Sequence, residues 1–456
     1  MPSADLVILG GGSGGYACAL RASELGMSVI LIDKDKLGGT CLHRGCIPTK
    51  ALLHAAEIAD SSRESAHFGV NTTLHGIDMV KVNEYRDGVV GRLYKGLQGL
   101  VKSRNVTYVE GEGRLVAPNT VEVGGEKYTG TNVVLATGSY ARSLPGLEID
   151  GRIMTSDQAL NLDYVPKSVI VLGGGVIGVE FASVWRSFGA QVTIVEALPN
   201  LVPNEDIACS KALERAYRKR GINLSLGVRF ASATQSETGV QVTLEDGKTF
   251  DADILLVAVG RGPSASGMGF EEQGIAMDRG WVLVDERLRT NVANVFAVGD
   301  ITPGLQLAHR GFQHGIFVAE EIAGLNPVVI PDINIPKVTY CEPEVASVGL
   351  NEAEARAMHG DANIIAYEYN LGGNGKSQIL GTAGFIKLVQ LKDGPVIGVH
   401  MVGSRVGEQI GEAQLIVNWE AHPGDVATLI HAHPTQNEAM GEAHLALAGK
   451  PLHAHA

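Results

Sequence analysis

Two short stretches of this chain follow one plan, and together they limit its fold more than any other feature. Residues 5–9 read as an apolar strand that runs into Gly10-Gly11-Gly12-Ser13-Gly14-Gly15, and a helical pattern follows over 16–25. Residues 169–172 run likewise into Gly173-Gly174-Gly175-Val176-Ile177-Gly178, with a helical pattern from Val179. Both fit G-x-G-x-x-G, with Gly10, Gly12 and Gly15 in one copy and Gly173, Gly175 and Gly178 in the other. The first glycine allows a tight turn, the second lets a pyrophosphate approach the backbone, and the third lets helix and strand pack closely. The next strand ends in an acid each time, residues 28–32 at Asp33 and 192–195 at Glu196, both 23 residues past the first glycine. A carboxylate at that place suits a ribose hydroxyl. Two dinucleotide folds in one chain imply two dinucleotides. Glu196 has no Arg close behind it and should repel a 2′-phosphate, so the second half is expected to prefer NAD over NADP.

Length and composition fit this reading. A chain of 456 residues is too long for one core, and length alone suggests about three domains. With 58 glycines and only 5% aromatic residues, it suits glycine-punctuated α/β domains better than disorder or a fibre. A net charge of −13 with no offsetting Lys/Arg cluster argues against a nucleic-acid partner. No apolar run approaches the roughly 20 residues of a membrane span. No basic segment followed by an apolar one opens the chain, so a secretory signal is not expected. Five cysteines, at 18, 41, 46, 209 and 341, are too few and too scattered for a disulfide scaffold. A reducing cytoplasm is the expected location, with Cys18, Cys209 and Cys341 as ordinary packed thiols.

Cys41 and Cys46 stand apart from those three. On a regular helix their Cα atoms would lie roughly 8 to 9 Å apart, beyond the reach of a disulfide. Pro48 lacks the N–H that would bond the carbonyl of Arg44, and Gly45 tolerates unusual dihedrals, so the segment can distort and bring the sulfurs together. The alternative is two buried thiols that never touch. The surrounding string Gly38-Gly39-Thr40-Cys41-Leu42-His43-Arg44-Gly45-Cys46-Ile47-Pro48-Thr49-Lys50 resembles the redox centre of the pyridine nucleotide-disulfide oxidoreductases, most of all those that oxidise dihydrolipoamide.

The resemblance implies two Rossmann-like α/β domains, one for FAD and one for NAD, and a C-terminal α+β dimerisation domain. Cys41 would be the thiol that exchanges with a substrate dithiol and Cys46 the thiol against the flavin, with Lys50 beside the flavin as well. His43-Arg44 stands where the commoner family sequence has Asn-Val, and is expected to add positive charge beside the thiols and favour a thiolate. Gly111-Glu112-Gly113 resembles the place where the family backbone meets the adenine, and Thr137-Gly138-Ser139 an element beside the flavin. An acid matching Glu180 reaches the flavin in this family and pairs with the lysine matching Lys50. Val176 is small where glutathione reductases carry a gating tyrosine. Residues 255–259 form a buried strand ending in Gly260-Arg261, as the family's nicotinamide domain does. Residues 294–299 form a strand whose terminal Asp300 matches the acid that holds the flavin ribityl chain. Leu307-Ala308-His309 opens a helix whose N-terminus suits a phosphate.

The expected division is therefore 1–147 and 269–334 for a discontinuous FAD domain, 148–268 for the NAD domain, and 335–456 for the interface domain. Residues 51–104 read as helical, with Val89, Val90, Leu93, Leu97, Leu100 and Val101 as a core stripe. A hairpin is expected at Asp393-Gly394. His433-Pro434-Thr435-Gln436-Asn437-Glu438 resembles the family's His–Glu dyad, with Gln436-Asn437 for the commoner Leu-Ser. The carboxylate would orient and charge the imidazole, and in this family the dyad serves the partner subunit of a homodimer. A metal site at His431, His433, His453 and His455 is disfavoured, because no Cys or carboxylate stands at metal spacing. The tail is expected to be solvated. The activity implied is oxidation of protein-bound dihydrolipoamide with NAD, the carrier being a lipoylated acyltransferase or the H-protein of glycine cleavage. A reductase of a small disulfide, of mycothiol or glutathione type, is the alternative. A mercuric reductase is disfavoured because the C-terminus lacks its cysteine pair.

Overall fold

The computed structural model describes residues 2–454. Its first third builds a mixed sheet with a nucleotide-type crossover. β1 (Ser3–Leu9) leads into α1 (Ser13–Glu24), and β2 (Val29–Asp33) returns parallel to β1. The redox string folds as α2 (Gly39–Arg44) and α3 (Cys46–Glu64), and α4 (Met79–Ser103) follows. Strands β3 (Thr107–Glu110), β4 (Gly113–Ala117), β5 (Thr120–Val123) and β6 (Glu126–Leu135) complete the sheet, in the order β3-β2-β1-β6-β5-β4. Strands β1, β2 and β6 carry the apolar centre, where Leu6, Val7, Ile8, Leu31 and Val134 are wholly buried. Such continuous apolar runs are what a parallel sheet covered on both faces requires.

The helical stretch differs from expectation in two ways. A 3₁₀ turn (Ser65–Phe68) and an irregular stretch to Asp78 split it into α3 and α4. Asp78 starts the second helix by accepting from the Lys81 N–H. On α4, Leu97 and Val101 are buried as expected, but Leu93 and Leu100 are about half exposed. The helix buries Met79, Arg86, Leu97 and Val101, while Leu93 and Leu100 lie to one side of the covered strip.

The short strand β7 (Ser139–Ala141) leads to a second α/β unit. It contains β8 (Ile153–Met154), α5 (Ser156–Ala159), β9 (Ser168–Leu172), α6 (Val176–Phe188), β10 (Gln191–Glu196), α7 (Ile207–Lys219) and β11 (Asn223–Leu226). An antiparallel trio, β12 (Phe230–Gln235), β13 (Val240–Leu244) and β14 (Thr249–Ala252), comes before β15 (Ile254–Val257). The parallel sheet runs β11-β10-β9-β15-β8. β16 (Arg261–Pro263) then pairs antiparallel with β7, which fastens the two ends of this unit together. The small hairpin β17 (Met277–Asp278) and β18 (Trp281–Val282) comes next, and β19 (Val295–Ala297) rejoins the first sheet beside β6. α8 (Ala308–Ile322) lies against α1, where a Cβ on Gly315 would stand 2.2 Å from the Gly14 carbonyl oxygen.

The remaining chain forms an antiparallel sheet of β20 (Lys337–Thr339), β21 (Glu344–Gly349), β22 (Ile364–Asn370), β23 (Phe385–Leu391) and β24 (Val396–Gly403), ordered β20-β21-β24-β23-β22. The β23–β24 hairpin turns at Asp393-Gly394, with Asp393 at φ 59°. Helices α9 (Glu352–His359), α10 (Gly375–Leu380), α11 (Val406–Asn418), α12 (Pro423–Val426) and α13 (Glu438–Leu447) surround it. His453 is exposed, as expected of a solvated tail, and it also gives its backbone N–H and its ring Nδ1 to Glu442, at 3.0 and 2.9 Å. His455 lies outside the described residues.

Candidate active site

The two fingerprints fold alike. Gly10 and Gly173 have φ of 109° and 114°, values that L side chains rarely adopt. A Cβ on Gly15 would lie 1.8 Å from the Gly10 carbonyl oxygen, and one on Gly178 1.9 Å from that of Gly173, so helix and strand touch through bare backbone. Gly12 and Gly175 cap α1 and α6 with no side-chain partner; the space beside Gly175 is open, while Gly12 lies against the backbone of Gly39. Uncapped N–H groups at a helix start, approached over a glycine, fit a pyrophosphate. α6 begins at Val176, three residues earlier than the pattern suggested. Glu196 accepts from the N–H groups of Gly174 and Leu198, at 2.6 and 2.7 Å. Asp33 does the same for Gly11 and Asp35. Each acid is thereby pinned beside its glycine turn.

Around the first fingerprint, the Gly111 N–H bonds the Asp33 carbonyl, and Gly113 opens β4 against Leu9 and Ile32. Thr137 and Gly138 lie between β6 and β7, with the Thr137 hydroxyl on the Ser264 carbonyl at 2.6 Å. Ser139 donates to Asp300 at 2.6 Å and receives the Arg261 guanidinium at 2.8 Å. Asp300 sits in a 3₁₀ turn (Gly299–Ile301) just past β19, not at the strand end. Leu307 caps α8, whose first residues are Ala308 and His309, and the His309 ring turns aside to the Pro336 carbonyl. Gly260, at φ 107°, leads from β15 to Arg261. Arg261 carried a sequence signal as part of Gly260-Arg261, but its link to Ser139 needed the fold.

The cysteines are brought together as expected. The helix breaks at Gly45, whose φ of −140° and ψ of −110° separate α2 from α3, and Pro48 falls in the first turn of α3, where a missing N–H is tolerated. Both residues are free thiols, and Cys41 hydrogen-bonds Cys46. That bond holds Cys46 down at about 7, with Lys50 assisting against the cost of burial. It drives Cys41 far up, with burial acting the same way. The pair therefore divides its roles, with Cys46 as thiolate and Cys41 as the protonated donor. Tyr16, beside both sulfurs, is pushed up to about 12 by burial first and by their charge second.

His43 and Arg44 do not supply the extra charge expected of them. The His43 ring bonds the Leu37 carbonyl at 2.8 Å and meets Tyr94 edge-on, while Arg44 pairs with Asp35 at 3.0 Å. The cation that serves the thiols is Lys50. Its Nζ lies 2.9 and 2.8 Å from the two oxygens of the buried Glu180 carboxylate and 4.7 Å from the centre of the Tyr340 ring. Burial pulls Lys50 down, but Glu180 more than offsets this and keeps it charged. Tyr340, which sequence reasoning missed, also donates its backbone N–H to Glu180 at 2.9 Å. A tyrosine outside any motif gives no signal of such a role.

His433 and Glu438 form a dyad, with Nδ1 2.8 Å from Oε1, and the other carboxylate oxygen takes the Thr435 N–H at 2.7 Å. The imidazole is 78% exposed on the surface of the C-terminal domain. His431 is turned to Glu412 at 2.7 Å, a carboxylate that sequence reasoning did not single out.

With this geometry established, comparison with known proteins is direct. The pyridine nucleotide-disulphide oxidoreductase pattern matches residues 4–315, and the dimerisation domain of the same family matches residues 335–444. The chain is 40% identical to a dihydrolipoyl dehydrogenase of Bacillus subtilis, with 98% of this chain and 99% of that protein covered. It is 39% identical to a dihydrolipoyl dehydrogenase of Geobacillus stearothermophilus, over 98% and 97% of the two. The crystal structure of LpdA from Mycobacterium tuberculosis superposes with a TM-score of 0.91 at 27% identity, over 98% of this chain and 100% of that one. Paired thiols, two glycine fingerprints and a dimerisation domain thus occur in one order along one chain, which belongs to the pyridine nucleotide-disulphide oxidoreductases.

Proposed function

We propose that this protein oxidises dihydrolipoamide to lipoamide with reduction of NAD, by way of a Cys41–Cys46 disulfide and FAD. The observation that carries the reading is the break at Gly45 that sets the free thiols Cys41 and Cys46 on facing helix ends, with the Lys50–Glu180 pair one turn beyond Cys46. Exchange chemistry needs one sulfur that a substrate can attack and one that leaves easily as thiolate.

In the oxidised enzyme a substrate thiolate attacks Cys41 Sγ. The Cys41–Cys46 bond breaks and Cys46 departs with the electron pair, stabilised by Lys50. The second substrate thiolate closes lipoamide and expels Cys41, which takes up a proton. His433, oriented by Glu438, accepts a proton from the substrate dithiol, and the exposed dyad serves the partner subunit of the homodimer. FAD held by the first glycine turn and Asp33 would supply a two-electron acceptor for the reduced cysteines, and NAD held by the second would supply the final hydride acceptor.

Gly10, Gly12 and Gly15 give the FAD pyrophosphate its approach, Asp33 the adenosine ribose contact and Gly113 the adenine floor. Thr137, Gly138, Ser139 and Asp300 line the flavin side, and Leu307, Ala308 and His309 open a helix toward it. Gly173, Gly175 and Gly178 would do the same for NAD, with Gly260 and Glu180 also helping to hold the cofactors and Glu196 turning away a 2′-phosphate. The corresponding units are 1–147 with 269–334, 148–268, and 335–456. The substrate carrier is a lipoylated acyltransferase or a glycine cleavage H-protein, in the cytoplasm. The names of the curated relatives favour this dithiol over a mycothiol or glutathione disulfide.

The test is the steady-state rate with dihydrolipoamide and NAD, beside glutathione or mycothiol disulfide with NADH and NADPH. Fast NAD-linked dithiol oxidation is expected. A slow rate there with a fast rate on a small disulfide would sink the substrate assignment.

A further inference from the structure

The segment that carries His433 has little regular structure of its own. Between α12 and α13 the chain runs from Ala427 to Asn437 without a helix or strand, yet general base catalysis needs the imidazole fixed to a fraction of an ångström. One carboxylate on a neighbouring helix grips this segment on both sides of the dyad. Glu412, on α11, accepts from His431 Nε2 at 2.7 Å through one oxygen and from Asn437 Nδ2 at 2.8 Å through the other. His431 lies two residues before His433, and Asn437 directly precedes Glu438.

Two further observations mark this grip as more than a surface contact. Asn437 stands at the N-cap of α13, where an asparagine side chain ordinarily caps its own helix, but it makes no such bond and goes to Glu412 instead. The His431 ring in turn occupies the space above Gly441 on α13, where a Cβ would come 2.6 Å from Nδ1. Glu412 and His431 are both largely buried, so their bond is charge-assisted and shielded from water. From the far side, Asn374 donates to the Thr435 carbonyl at 3.0 Å.

We propose that Glu412 is a positioning residue for the His433–Glu438 dyad, acting through His431 and Asn437. It touches neither substrate nor cofactor; it sets the place from which His433 meets the dithiol. The inference rests on the proposed role of His433 and extends it.

The test compares two reactions of the purified holoenzyme. Dithiol oxidation with NAD uses His433, whereas NADH oxidation by ferricyanide or a small quinone does not. Glu412→Gln, which sets an amide N–H against one of the two donors, is expected to slow dithiol oxidation about 10-fold or more and leave the quinone reaction unchanged. In a His433→Gln background the same substitution is expected to cost nothing further. Asn437→Ala removes one bond of the two and should give a smaller loss in the same reaction, which keeps the proposal testable should Glu412→Gln not fold. Unchanged dithiol oxidation in both variants, equal losses in both reactions, or an additive loss in the His433→Gln background would each overturn the proposal. A wild-type enzyme that turns over a small disulfide in place of dihydrolipoamide would instead overturn the substrate assignment, and the comparison then uses that disulfide.

Discussion

The thiolate character of Cys46 comes from two neighbours, the Cys41 thiol and the Lys50 ammonium, which together outweigh burial. Because both lower its pKa, removing either must raise it. The ultraviolet thiolate absorbance of the dithiol form should titrate with a midpoint near 7 in the wild type, the thiolate being present above that pH. In Cys41→Ala and in Lys50→Met the midpoint should move upward toward that of an ordinary cysteine. A midpoint that stays put in both variants would show that Cys46 is not the thiolate. At this scale much of the site was legible, because Cys41, Cys46, Lys50 and the His433–Glu438 pair stand in short strings that resemble the family's motifs. What escaped were residues joined to the site only in space. Tyr340 and Glu412 lie in no motif, and the direction taken by Arg44 depended on Asp35, nine residues earlier on a different element.

Among the elements, the glycine turns act by what they leave out. A methyl group on Gly178 would collide with the Gly173 carbonyl and force α6 away from β9. Gly178→Ala should therefore raise the KM for NAD about 10-fold or more, the scale on which misplaced binding groups act, while flavin content stays at one per chain. A normal KM would mean that the second fingerprint does not meet NAD. Strand and helix identities in both nucleotide units were readable, since continuous apolar strands and glycine turns give strong local signals. The α4 stripe was misread at Leu93 and Leu100, which flank the buried Leu97 and Val101 on one side, because periodicity reports which residues share a face and says nothing of how wide a strip of it a neighbour covers. The strand before Asp300 was read two residues too long, since it stops at Ala297 and Asp300 falls in the turn that follows.

Across the whole molecule, the second α/β unit is locked to the C-terminal domain by a buried ion cluster. Lys387 on β23 meets both oxygens of Asp206, at the start of α7, at 2.8 and 3.0 Å, and Glu352 at 2.7 Å. Burial alone would push Asp206 up, but Lys387 and two backbone N–H groups hold it below the usual carboxylate range. Its contribution is present above that range and lost as the pH falls through the depressed value. Lys387→Met leaves the buried Asp206 without its ion-pair partner, while Glu352 keeps Arg356, and should cost about 3–5 kcal/mol at neutral pH, the usual penalty for breaking a buried pair. Urea unfolding should show that gap narrowing in acid, and equal midpoints at neutral pH would show that the lock contributes nothing. No sequence pattern foretells this contact, because its members are 181 residues apart.

The ladder of β7 and β16 holds a record of how such a chain could have been assembled. Ala141 faces Arg261 and Ser139 faces Pro263, so the strands that lead the chain into and out of the second α/β unit lie one strand spacing apart, about 5 Å. In effect the ladder is a hairpin whose turn has grown into an entire domain. A tight two-residue turn could replace everything between Ala141 and Arg261 without moving either strand. The flavin unit thus carries its passenger as a cassette, and its own chain can close as though the insert had never been there.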